Sequence, residues 1–529
     1  MQQFFLQAVV LLWIMLPPGA YSQSSGEDRD EAIRRSLAKI TQAYRLLEKH
    51  LADPLQPEQA LYEGAIRGAL SSLDPFSVFL DADQFQMLQQ QQRGVQQGFG
   101  AILNVQAGRV MVLHSLPGSP FGRAGLSPGD RIVEINDHRV DRMDLRELVE
   151  VLQEAKSKRV ELSVVQGGKL VSRDFSLDPA EVPSPTVDKK FLLEPSLGYV
   201  HVARVEASTP GELRSILQEW AASNLRGLIL DLRDNPGGAL EPAVATAGLF
   251  LRQGQTVVSL RGRVIPETKY VTESAPFRPE LPLVVLLNGR TASAAEIIAA
   301  ALQEHDRAWV VGEVSFGKGV VESVLPLSEG TALVLTTARY FTSSSRSIQR
   351  PLPGTALAGI LQQEQMEEFY TDNGRPLPAE GGVHPDTQAG SWQLGPWAEF
   401  LEESTAFMNF AQAYRDGLIH VSEDFEVDES VLGEFKNFLD GAGVRVPPSS
   451  WERSLPFVKV RIKTELFNLV YGIPRGNEVD VRGDPQVQSA IGALEQAQQL
   501  LRAANAARDS NHVPDRDHVE AGLRSRAVP

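Results

Sequence analysis

Apolar residues recur at helical spacing toward both ends of the chain, and short apolar strands lie between them. Within residues 27–72, Ile33, Leu37 and Ile40 mark one face of a helix because they fall three or four positions apart. Helical spacing returns in the C-terminal part, over residues 397–414, 429–439 and 487–506. The pattern therefore predicts helical regions on both sides of a strand-containing centre.

The centre divides into two strand-containing segments. The first, before residue 180, has predicted strands at 109–113, 131–135 and 159–165 and a helix at 145–155. In the second, strands and helices alternate. Its strands are predicted at 196–202, 227–232, 283–287 and 332–337, and its helices at 211–223, 239–251 and 292–303. Alternation of this kind indicates an α/β fold.

The most apolar stretch of the chain lies near its start, at residues 4–20. Ala20 and Ser22 have the small-x-small spacing of a cleavage site, so residues 1–22 are predicted to be a secretory signal peptide, although no Lys or Arg precedes the apolar run. An uncleaved membrane anchor is the alternative, although the run is a little short for a span. The protein is therefore expected to be exported, to a periplasmic or other extracytoplasmic location.

Composition excludes several classes of function. A net charge of −16 and the lack of a basic run argue against a nucleic-acid partner, because phosphate binding needs clustered Lys and Arg. The chain has no cysteine, which excludes disulfides, a thiol nucleophile and thiolate metal sites. Its nine histidines lack metal-ligand spacing, so no metal site is predicted.

Ser293 is a candidate nucleophile where a predicted strand turns into a helix, and Lys318 follows between two glycines. A serine hydroxyl is a poor nucleophile at neutral pH and needs a neighbouring base. A lysine provides that base only where burial lowers its pKa, and the apolar residues 308–311 and 320–321 would supply such surroundings. The alternative is structural, since Ser293 and Glu296 also fit the S-x-x-E capping box of a helix.

Residues 312–318 match most of a phosphate-binding loop. That motif requires Ser or Thr after its lysine, to bind magnesium, but Gly319 stands there. It also requires a helix to follow, whereas residues 320–327 are β-branched and strand-like. The sequence therefore does not favour nucleotide binding.

A third segment, residues 228–238, strengthens the catalytic interpretation of the serine. Its apolar half is a predicted buried strand, and its NPGG turn leaves backbone amides open to a close ligand because glycine has no side chain. Such amides can stabilise the oxyanion of an acyl-transfer reaction. Asp231 and Asp234 are interpreted as structural, pairing with Arg233 or holding the turn.

The sequence resembles the carboxyl-terminal processing protease family over about residues 60–390. The resemblance rests on motifs that occur in the family's order. They are GYV at 198–200, LILDLRDNPGG at 228–238, TASAAE at 291–296, SFGKG at 315–319 and ARYFTSSSRSIQ at 338–349. The resemblance implies a protease core of the crotonase and Clp-protease type, with an inserted domain.

The resemblance also assigns roles to individual residues. It implies that Ser293 is the nucleophile and Lys318 the general base. It further implies an oxyanion hole built from the amide of Ala294 and that of Gly237 or Gly238. No cofactor is required for this chemistry.

Glu322 stands four positions after Lys318, where the family has a glutamine that orients the lysine, and it is included in the expected catalytic set. Four residues of an extended strand span about 13 Å, so contact requires a bend, which Gly317 and Gly319 would provide. An ionised carboxylate there would stabilise the ammonium and oppose its action as a base. Glu322 is therefore protonated, directed elsewhere, or a restraint that breaks when substrate binds, and the last is our hypothesis.

His384, followed by Pro385 and Asp386, is a second candidate base, of the Ser-His-Asp type. The surrounding GGVHPD stretch instead resembles the family's G-G-x-x-P-D segment near the end of the protease core. A loop role is therefore the expected one.

Residues 122–137, GRAGLSPGDRIVEIND, are strongly similar to a PDZ domain. That resemblance makes Gly98, Phe99, Gly100 and Ala101 the carboxylate-binding loop, whose amides hold a peptide C-terminus while the peptide adds as a strand. The alternative for these four residues alone is a glycine-bearing turn. The expected partners are protein or peptide substrates with a free C-terminus.

The expected fold is α/β, a crotonase/Clp-protease-like core with an inserted PDZ domain and additional N- and C-terminal helical regions. The expected domains are a signal peptide 1–22, helical region 23–92, PDZ domain 93–179, serine protease core 180–390, C-terminal helical region 391–507 and mobile tail 508–529. The expected function is that of an exported serine endopeptidase with a Ser/Lys mechanism. The alternatives are a catalytically impaired PDZ scaffold and a crotonase-like acyl-thioester enzyme.

An apolar stripe runs along the last predicted helix, through Val487, Ile491, Leu494 and Leu501. Stripes of this kind pack against a core or a subunit. A homo-oligomer through the C-terminal helices therefore stays open as an alternative.

Overall fold

The computed structural model describes most of the chain. The described residues are 26–53, 56–57, 59–92, 95–116, 118–155, 158–166, 171–351, 368–417 and 421–510. The predicted signal peptide lies outside them. Within these residues, no helix combines the length and the apolar character needed to cross a membrane.

The N-terminal region is helical, as its apolar spacing predicts, but it also contains a strand. Its elements are α1 (Gly26–His50), a π-helix (Gln59–Ile66), α2 (Arg67–Ser71), β1 (Val78–Leu80) and α3 (Ala82–Gln92). Strand β1 pairs antiparallel with a strand far along the chain, with Val78 opposite Val334. This strand was not predicted, and it joins the N-terminal region to the main body of the protein.

A six-stranded antiparallel sheet, a separate two-stranded antiparallel sheet and two α-helices follow, and we call residues 95–183 the PDZ-like region. Its elements are β2 (Val95–Gly98), β3 (Ala101–Gln106), β4 (Arg109–Ser115), α4 (Pro120–Arg123), β5 (Arg131–Ile135), β6 (His138–Arg139), α5 (Leu145–Ala155), β7 (Val160–Val165), β8 (Ser172–Leu177) and β9 (Ala180–Pro183). The strand order is β3-β4-β5-β7-β8, so β3 forms one edge of the sheet. Leu148 of α5 packs with Ile132 and Val164 in the buried core.

The central α/β segment contains the main sheet. Its elements are β10 (Val187–Glu194), β11 (Leu197–Val202), α6 (Thr209–Glu219), β12 (Gly227–Asp231), α7 (Leu240–Ala247), β13 (Thr256–Arg261), β14 (Thr268–Val271), β15 (Leu283–Leu287), α8 (Ala294–Glu304), β16 (Trp309–Gly312), β17 (Val320–Pro326), β18 (Ala332–Phe341), β19 (Phe369–Tyr370), β20 (Pro376–Leu377) and β21 (Thr387–Gln388). The main sheet has the order β10-β11-β12-β15-β16-β21. All its neighbouring strands are parallel except β10 and β11. The loops after β12, β15 and β16 therefore meet at one edge, where ligand sites form in such sheets.

A second sheet stands beside the first and links the N-terminal region to the candidate site. Its order is β1-β18-β13-β14, and β17 also pairs with β18. Within the β17–β18 pair, Glu322 lies opposite Thr336. The strand that follows Lys318 therefore shares its partner, β18, with β1.

The C-terminal region is helical, as predicted, but its helices are more numerous than the pattern indicated. They are α9 (Pro396–Glu403), α10 (Ala406–Gly417), α11 (Glu429–Gly441), α12 (Pro448–Tyr471), α13 (Ile473–Gly483), α14 (Pro485–Gly492) and α15 (Leu494–Ser510). The predicted helix 397–414 is interrupted at Thr405, whose φ is 56°. The predicted helix 487–506 is divided at Ala493, and α12 and α13 were not predicted.

Helices α13 to α15 cover one face of the main sheet. Ile229 and Leu286 pack with Val487 of α14, whereas Leu228 and Val285, next to them in their strands, face the opposite core. Alternate residues of a strand point to opposite faces, so both faces of the sheet are buried. Much of the predicted stripe on these helices therefore packs against the chain's own core.

Helices α9 to α12 contact the PDZ-like region. Phe407, Phe435 and Phe457 form an aromatic cluster that also contains Met111 and Leu113 of β4. The C-terminal region is therefore packed against both the main sheet and the PDZ-like region.

Candidate active site

Ser293 lies in a strained turn between β15 and α8. Its backbone has φ 53° and ψ −118°, a conformation that residues with a side chain rarely adopt. The Thr291 hydroxyl holds the turn by donating to the carbonyl oxygen of Leu232 at 2.8 Å. Strained strand-to-helix turns present nucleophilic serines in other hydrolases. The backbone geometry thus favours the catalytic interpretation of Ser293.

The NPGG turn packs directly against this serine. A Cβ added to Gly237 would lie 2.8 Å from the Cβ of Ser293. A Cβ added to Gly238 would collide with the carbonyl oxygen of Val205. Both positions therefore require glycine, because a side chain at 237 would press against the serine turn and one at 238 would press against the Val205 backbone.

The structure distinguishes among the predicted oxyanion-hole amides. The Gly237 amide donates to Asn235 Oδ1 at 2.8 Å, so it is engaged within its own turn. The Asn235 carbonyl oxygen in turn accepts from the Ala292 amide at 2.9 Å. Among the hydrogen bonds of the described residues, none is donated by the amides of Gly238 and Ala294. Those two amides are available to a ligand.

Lys318 and Glu322 form a buried ion pair. Lys318 Nζ lies 2.9 Å from Glu322 Oε1, and the two side chains are 3% and 2% exposed. Gly317, at φ 86°, turns the chain just before the lysine. The pairing of β17 with β18 also shifts register between Val321 and Glu322. The expected bend is present, and Glu322 is directed toward the lysine.

Burial and the neighbouring charges have opposite effects on the pKa of Glu322. Burial raises the pKa of the Glu322 carboxyl, the Lys318 ammonium lowers it, and the negative charge of Asp74 raises it further. An ionised carboxylate at this distance stabilises an ammonium. The lysine ammonium therefore opposes the effect of burial on the Glu322 carboxyl.

Glu296 connects the serine turn to the lysine segment. Its carboxylate accepts hydrogen bonds from the amides of Ser293 at 2.9 Å, Gly317 at 2.7 Å and Lys318 at 2.9 Å, and from the Ser315 hydroxyl. Burial raises the pKa of Glu296 to about 7, and these hydrogen bonds oppose the rise. Because both carboxylate oxygens face donors, the ionised form fits the site. The residue expected only to cap a helix thus also aligns two segments of the site.

Tyr340 makes a second connection between the same segments. Its hydroxyl donates to the carbonyl oxygen of Lys318 and also interacts with the side chain of Ser293. Burial raises the pKa of Tyr340 well above its usual value, and the charge of Glu296 adds to the rise. The phenol therefore stays neutral and can act as a hydrogen-bond donor.

Asp231 and Asp234 have the structural contacts that were predicted for them. Arg233 donates to both carboxylate oxygens of Asp231 and forms an ion pair with Asp484 of the C-terminal region at 2.7 Å. Burial opposes ionisation of Asp231, but the guanidinium outweighs it and lowers the pKa to about 2. Asp234 pairs with Arg290 at 2.6 Å. These pairs hold the strand end before the NPGG turn.

His384 lies in a loop that is held through its backbone. Gln303 donates to the carbonyl oxygen of His384 at 2.8 Å. Asp386 accepts from the amide of Val310 at 2.8 Å. No hydrogen bond between His384 and Ser293 occurs within the described residues, which agrees with a loop role.

The predicted carboxylate-binding loop, residues 98–101, borders a large cleft. Gly100 has φ 68°, and its carbonyl oxygen accepts from the amide of Leu116 at 2.8 Å. The four loop residues line a cavity of about 1320 Å³. Its walls include Leu152 and Val160 of the PDZ-like region and residues 187–191 of the main sheet. The cleft therefore connects the loop with the core.

Fold and site together define a serine peptidase with a PDZ domain. Residues 196–357 match the model of peptidase family S41, residues 112–166 that of a PDZ domain, and residues 18–84 that of the activating protease CtpB N-terminal domain. The chain belongs to the carboxy-terminal processing proteases and is a serine endopeptidase. The predicted family, enzyme class and PDZ domain are confirmed.

Two relatives and one solved structure illustrate the similarity. The carboxy-terminal-processing protease of Bartonella bacilliformis is 31% identical over 352 residues, which cover 65% of this chain and 79% of the relative. The carboxyl-terminal-processing protease of Synechocystis is 32% identical over 329 residues, covering 61% and 75%. The structure of a photosystem II D1 C-terminal processing protease is 27% identical, covers 65% of this chain and 86% of that chain, and has a TM-score of 0.36.

Sequence reasoning missed three residues of the site. Glu296 was weighed only as a helix cap, and Tyr340 was noted only as part of a motif. Phe76, whose ring centroid lies 4.8 Å from Lys318 Nζ, was not singled out. The S-x-x-E spacing and the ARYF motif were signals for the first two, but nothing local to Phe76 places it beside a lysine so distant in the chain.

Within the described residues, no cluster of three or more His, Cys, Asp or Glu side chains could hold a metal ion.

Proposed function

We propose that this endopeptidase is exported, captures the C-termini of protein substrates in its PDZ domain, and cleaves them with Ser293 as nucleophile and Lys318 as general base. The observation that carries the proposal is the bonding of Glu296. One buried carboxylate accepts hydrogen bonds from the amides of Ser293 and Lys318, at 2.9 Å each. This contact brings the backbones of nucleophile and base into one buried site.

The reaction begins when Ser293 Oγ attacks the scissile carbonyl carbon and Lys318 Nζ, in its neutral form, accepts the hydroxyl proton. The amides of Gly238 and Ala294 stabilise the oxyanion, since the Gly237 amide is engaged by Asn235. When the C–N bond breaks, the lysine ammonium returns the proton to the leaving amine. Water then attacks the carbonyl carbon of the acyl-enzyme and gives a proton to the neutral lysine. The lysine returns that proton to Ser293 Oγ as the ester C–O bond breaks, which releases the acid and the free serine.

The ion pair with Glu322 restrains this reaction in the resting enzyme. A neutral lysine must form before the serine is activated, and the carboxylate 2.9 Å away favours the charged lysine. Substrate binding that separates the pair, or protonates Glu322, removes the restraint. The catalytic site therefore rests in an inactive state, and this offers a way to restrain an exported protease.

Substrate capture uses the carboxylate-binding loop and the free edge of β3. The amides of residues 98–101 hold the terminal carboxylate, and the peptide adds as a strand beside β3. The cavity that begins at this loop also touches residues 187–191 of the core. A captured chain therefore has a continuous path along which its upstream part approaches the core.

The boundaries proposed for the domains are those predicted from the sequence, except that β9, which pairs with β2, is assigned to the PDZ domain rather than to the core. Export rests on the apolar segment at residues 4–20. The C-terminal region is proposed to support the core, because α13 to α15 bury one face of the main sheet. A homo-oligomer through this region requires a surface other than the part of the stripe that packs on the sheet.

The decisive experiment is incubation of the purified protein with an unfolded polypeptide, with mass spectrometry of the fragments. We expect cleavage by the wild-type protein and almost none by Ser293→Ala. Substantial proteolysis by Ser293→Ala contradicts the mechanism. A wild-type protein that binds free C-termini without cleaving them indicates the scaffold alternative, and turnover of an acyl-thioester indicates the crotonase-like one.

A further inference from the structure

One loop of the N-terminal region, Asp74–Ser77, lies beside the candidate active site. The buried Asp74 carboxylate fixes this loop by accepting from the amides of Phe76 at 2.8 Å and Ser77 at 2.7 Å. The Ser77 hydroxyl donates to Asp74 at 3.0 Å and accepts from the amide of Thr336 at 3.1 Å. Since Thr336 lies opposite Glu322 in the second sheet, the loop is fixed beside the lysine–glutamate pair.

Phe76 places its aromatic face against the lysine. The ring centroid lies 4.8 Å from Lys318 Nζ, within the range of a cation–π interaction. Lys318 is 3% exposed and Phe76 is half-buried, so the contact lies near the surface of the protein with the ammonium itself shielded from solvent. A ring in this place both fixes the Nζ position and stabilises its positive charge.

Three carboxylates and one phenol face the lysine. Glu322 lies on the same strand segment, Asp74 on the N-terminal loop, Glu296 on α8 and the Tyr340 phenol on β18. The three carboxylates favour a nearby positive charge when they are ionised, and the neutral phenol adds no charge. The negative face of the Phe76 ring is therefore one of several features that favour the ammonium.

We infer that Phe76 is a positioning residue for catalysis, so that the N-terminal region completes the protease site. It holds Lys318 Nζ in place beside Glu322 until substrate binds. This inference rests on the proposed role of Lys318 as general base. It assigns the N-terminal region a part in catalysis beyond its packing on β18.

The test compares pH–rate profiles of full-length variants on an unfolded polypeptide substrate. Phe76→Leu keeps an apolar cover but removes the ring, so the alkaline-rising limb should move to lower pH by roughly 0.5 to 1.5 units. Its plateau kcat should fall several-fold because Nζ is less well fixed, with KM little changed. Phe76→Tyr keeps the ring and should therefore have the wild-type limb and the wild-type plateau kcat.

Phe79→Leu provides the matched control. Phe79 is buried on β1 and stacks on Tyr62 at 5.4 Å between ring centroids, so its loss weakens the same region without removing the ring at Lys318. This variant should lose thermal stability but keep the wild-type limb. A limb that moves equally in Phe79→Leu and Phe76→Leu overturns the inference.

Two further variants cover the cases in which Phe76→Leu does not fold or its limb does not move. If Phe76→Leu does not fold, pentafluorophenylalanine at position 76 keeps the ring shape, reverses its electrostatic face, and should move the limb the same way. An unmoved limb in folded Phe76→Leu, or in the pentafluorophenylalanine variant where Phe76→Leu does not fold, overturns the inference. Lys318→Ala distinguishes a failure of the Phe76 inference from a failure of the proposed Ser/Lys mechanism. An inactive Lys318→Ala protein is consistent with the proposed mechanism, whereas an active one contradicts it.

Discussion

Lys318 Nζ lies 2.9 Å from Glu322 Oε1, and both side chains are almost completely buried. Burial raises the pKa of the Glu322 carboxyl, while the lysine charge opposes that rise. In such a pair each charge favours the ionised form of the other, while burial disfavours both charged forms. Under the proposed mechanism Lys318 must be neutral to accept the serine proton, so an ionised Glu322 opposes that step.

Replacing Glu322 with glutamine should raise basal activity, because the change removes the negative charge that stabilises the ammonium. Charges about 4 Å apart interact by roughly 1 to 4 kcal/mol between the dielectric of water and that of a protein surface, which corresponds to about 1 to 3 pH units. The alkaline-rising limb of the pH–rate profile should therefore move to lower pH in Glu322→Gln. Glu313→Gln, at an exposed position of the same loop region, is the matched control and should leave the limb in place. An unmoved limb in Glu322→Gln, or one at higher pH, shows that the pair is not coupled as proposed.

The serine and the lysine should behave as one catalytic unit. Ser293→Ala and Lys318→Ala should each abolish nearly all turnover, and the double variant should be hardly slower than either. Initial rates on an unfolded polypeptide, with circular dichroism to confirm folding, provide the measurement. Losses that multiply in the double variant would instead indicate that the two residues act independently.

Glu296→Gln should impair both stability and activity. The amide NH2 replaces one carboxylate oxygen and faces either the Ser293 and Lys318 amides or the Gly317 amide and the Ser315 hydroxyl, so buried donors on that side lose their acceptor. A buried donor left without a partner costs about 1 to 3 kcal/mol, and denaturant unfolding should show at least one such loss. Turnover should fall by more than the unfolded fraction accounts for. Wild-type turnover in a folded Glu296→Gln protein contradicts the alignment role.

The PDZ domain should require a free carboxylate. With the inactive Ser293→Ala protein, amidation of a peptide's C-terminus should weaken binding, because the amides of residues 98–101 lose an anionic partner. Gly100→Ala should weaken binding of the free acid, since Gly100 has φ 68° and an added Cβ would collide with Ser119. Fluorescence titration of free-acid and amidated peptides measures both effects. Equal affinity for the two peptides removes the proposed role of the loop.

Local patterns predicted much of the secondary structure. The strand at Leu283–Leu287 and the helix at Leu145–Ala155 have the predicted bounds, because the first is a short, continuous apolar run between Pro282 and Gly289 and the second has apolar residues at helical spacing. The C-terminal helices were placed less well. A residue at positive φ, Thr405, divides one predicted helix, and the apolar spacing continues across the break.

By itself, the sequence determined the family, the PDZ domain and the candidate pair of Ser293 and Lys318, because short motifs carry that information locally. Only the tertiary structure decided how these parts meet. Glu296 reaches the amide of Lys318, and Phe76 reaches its ammonium, through chain folding that no local spacing encodes. The same folding engages the Gly237 amide with Asn235 and brings Glu322 to the lysine. Periodicity fixes which face of an element is buried, but contacts between distant elements depend on how all of them pack at once.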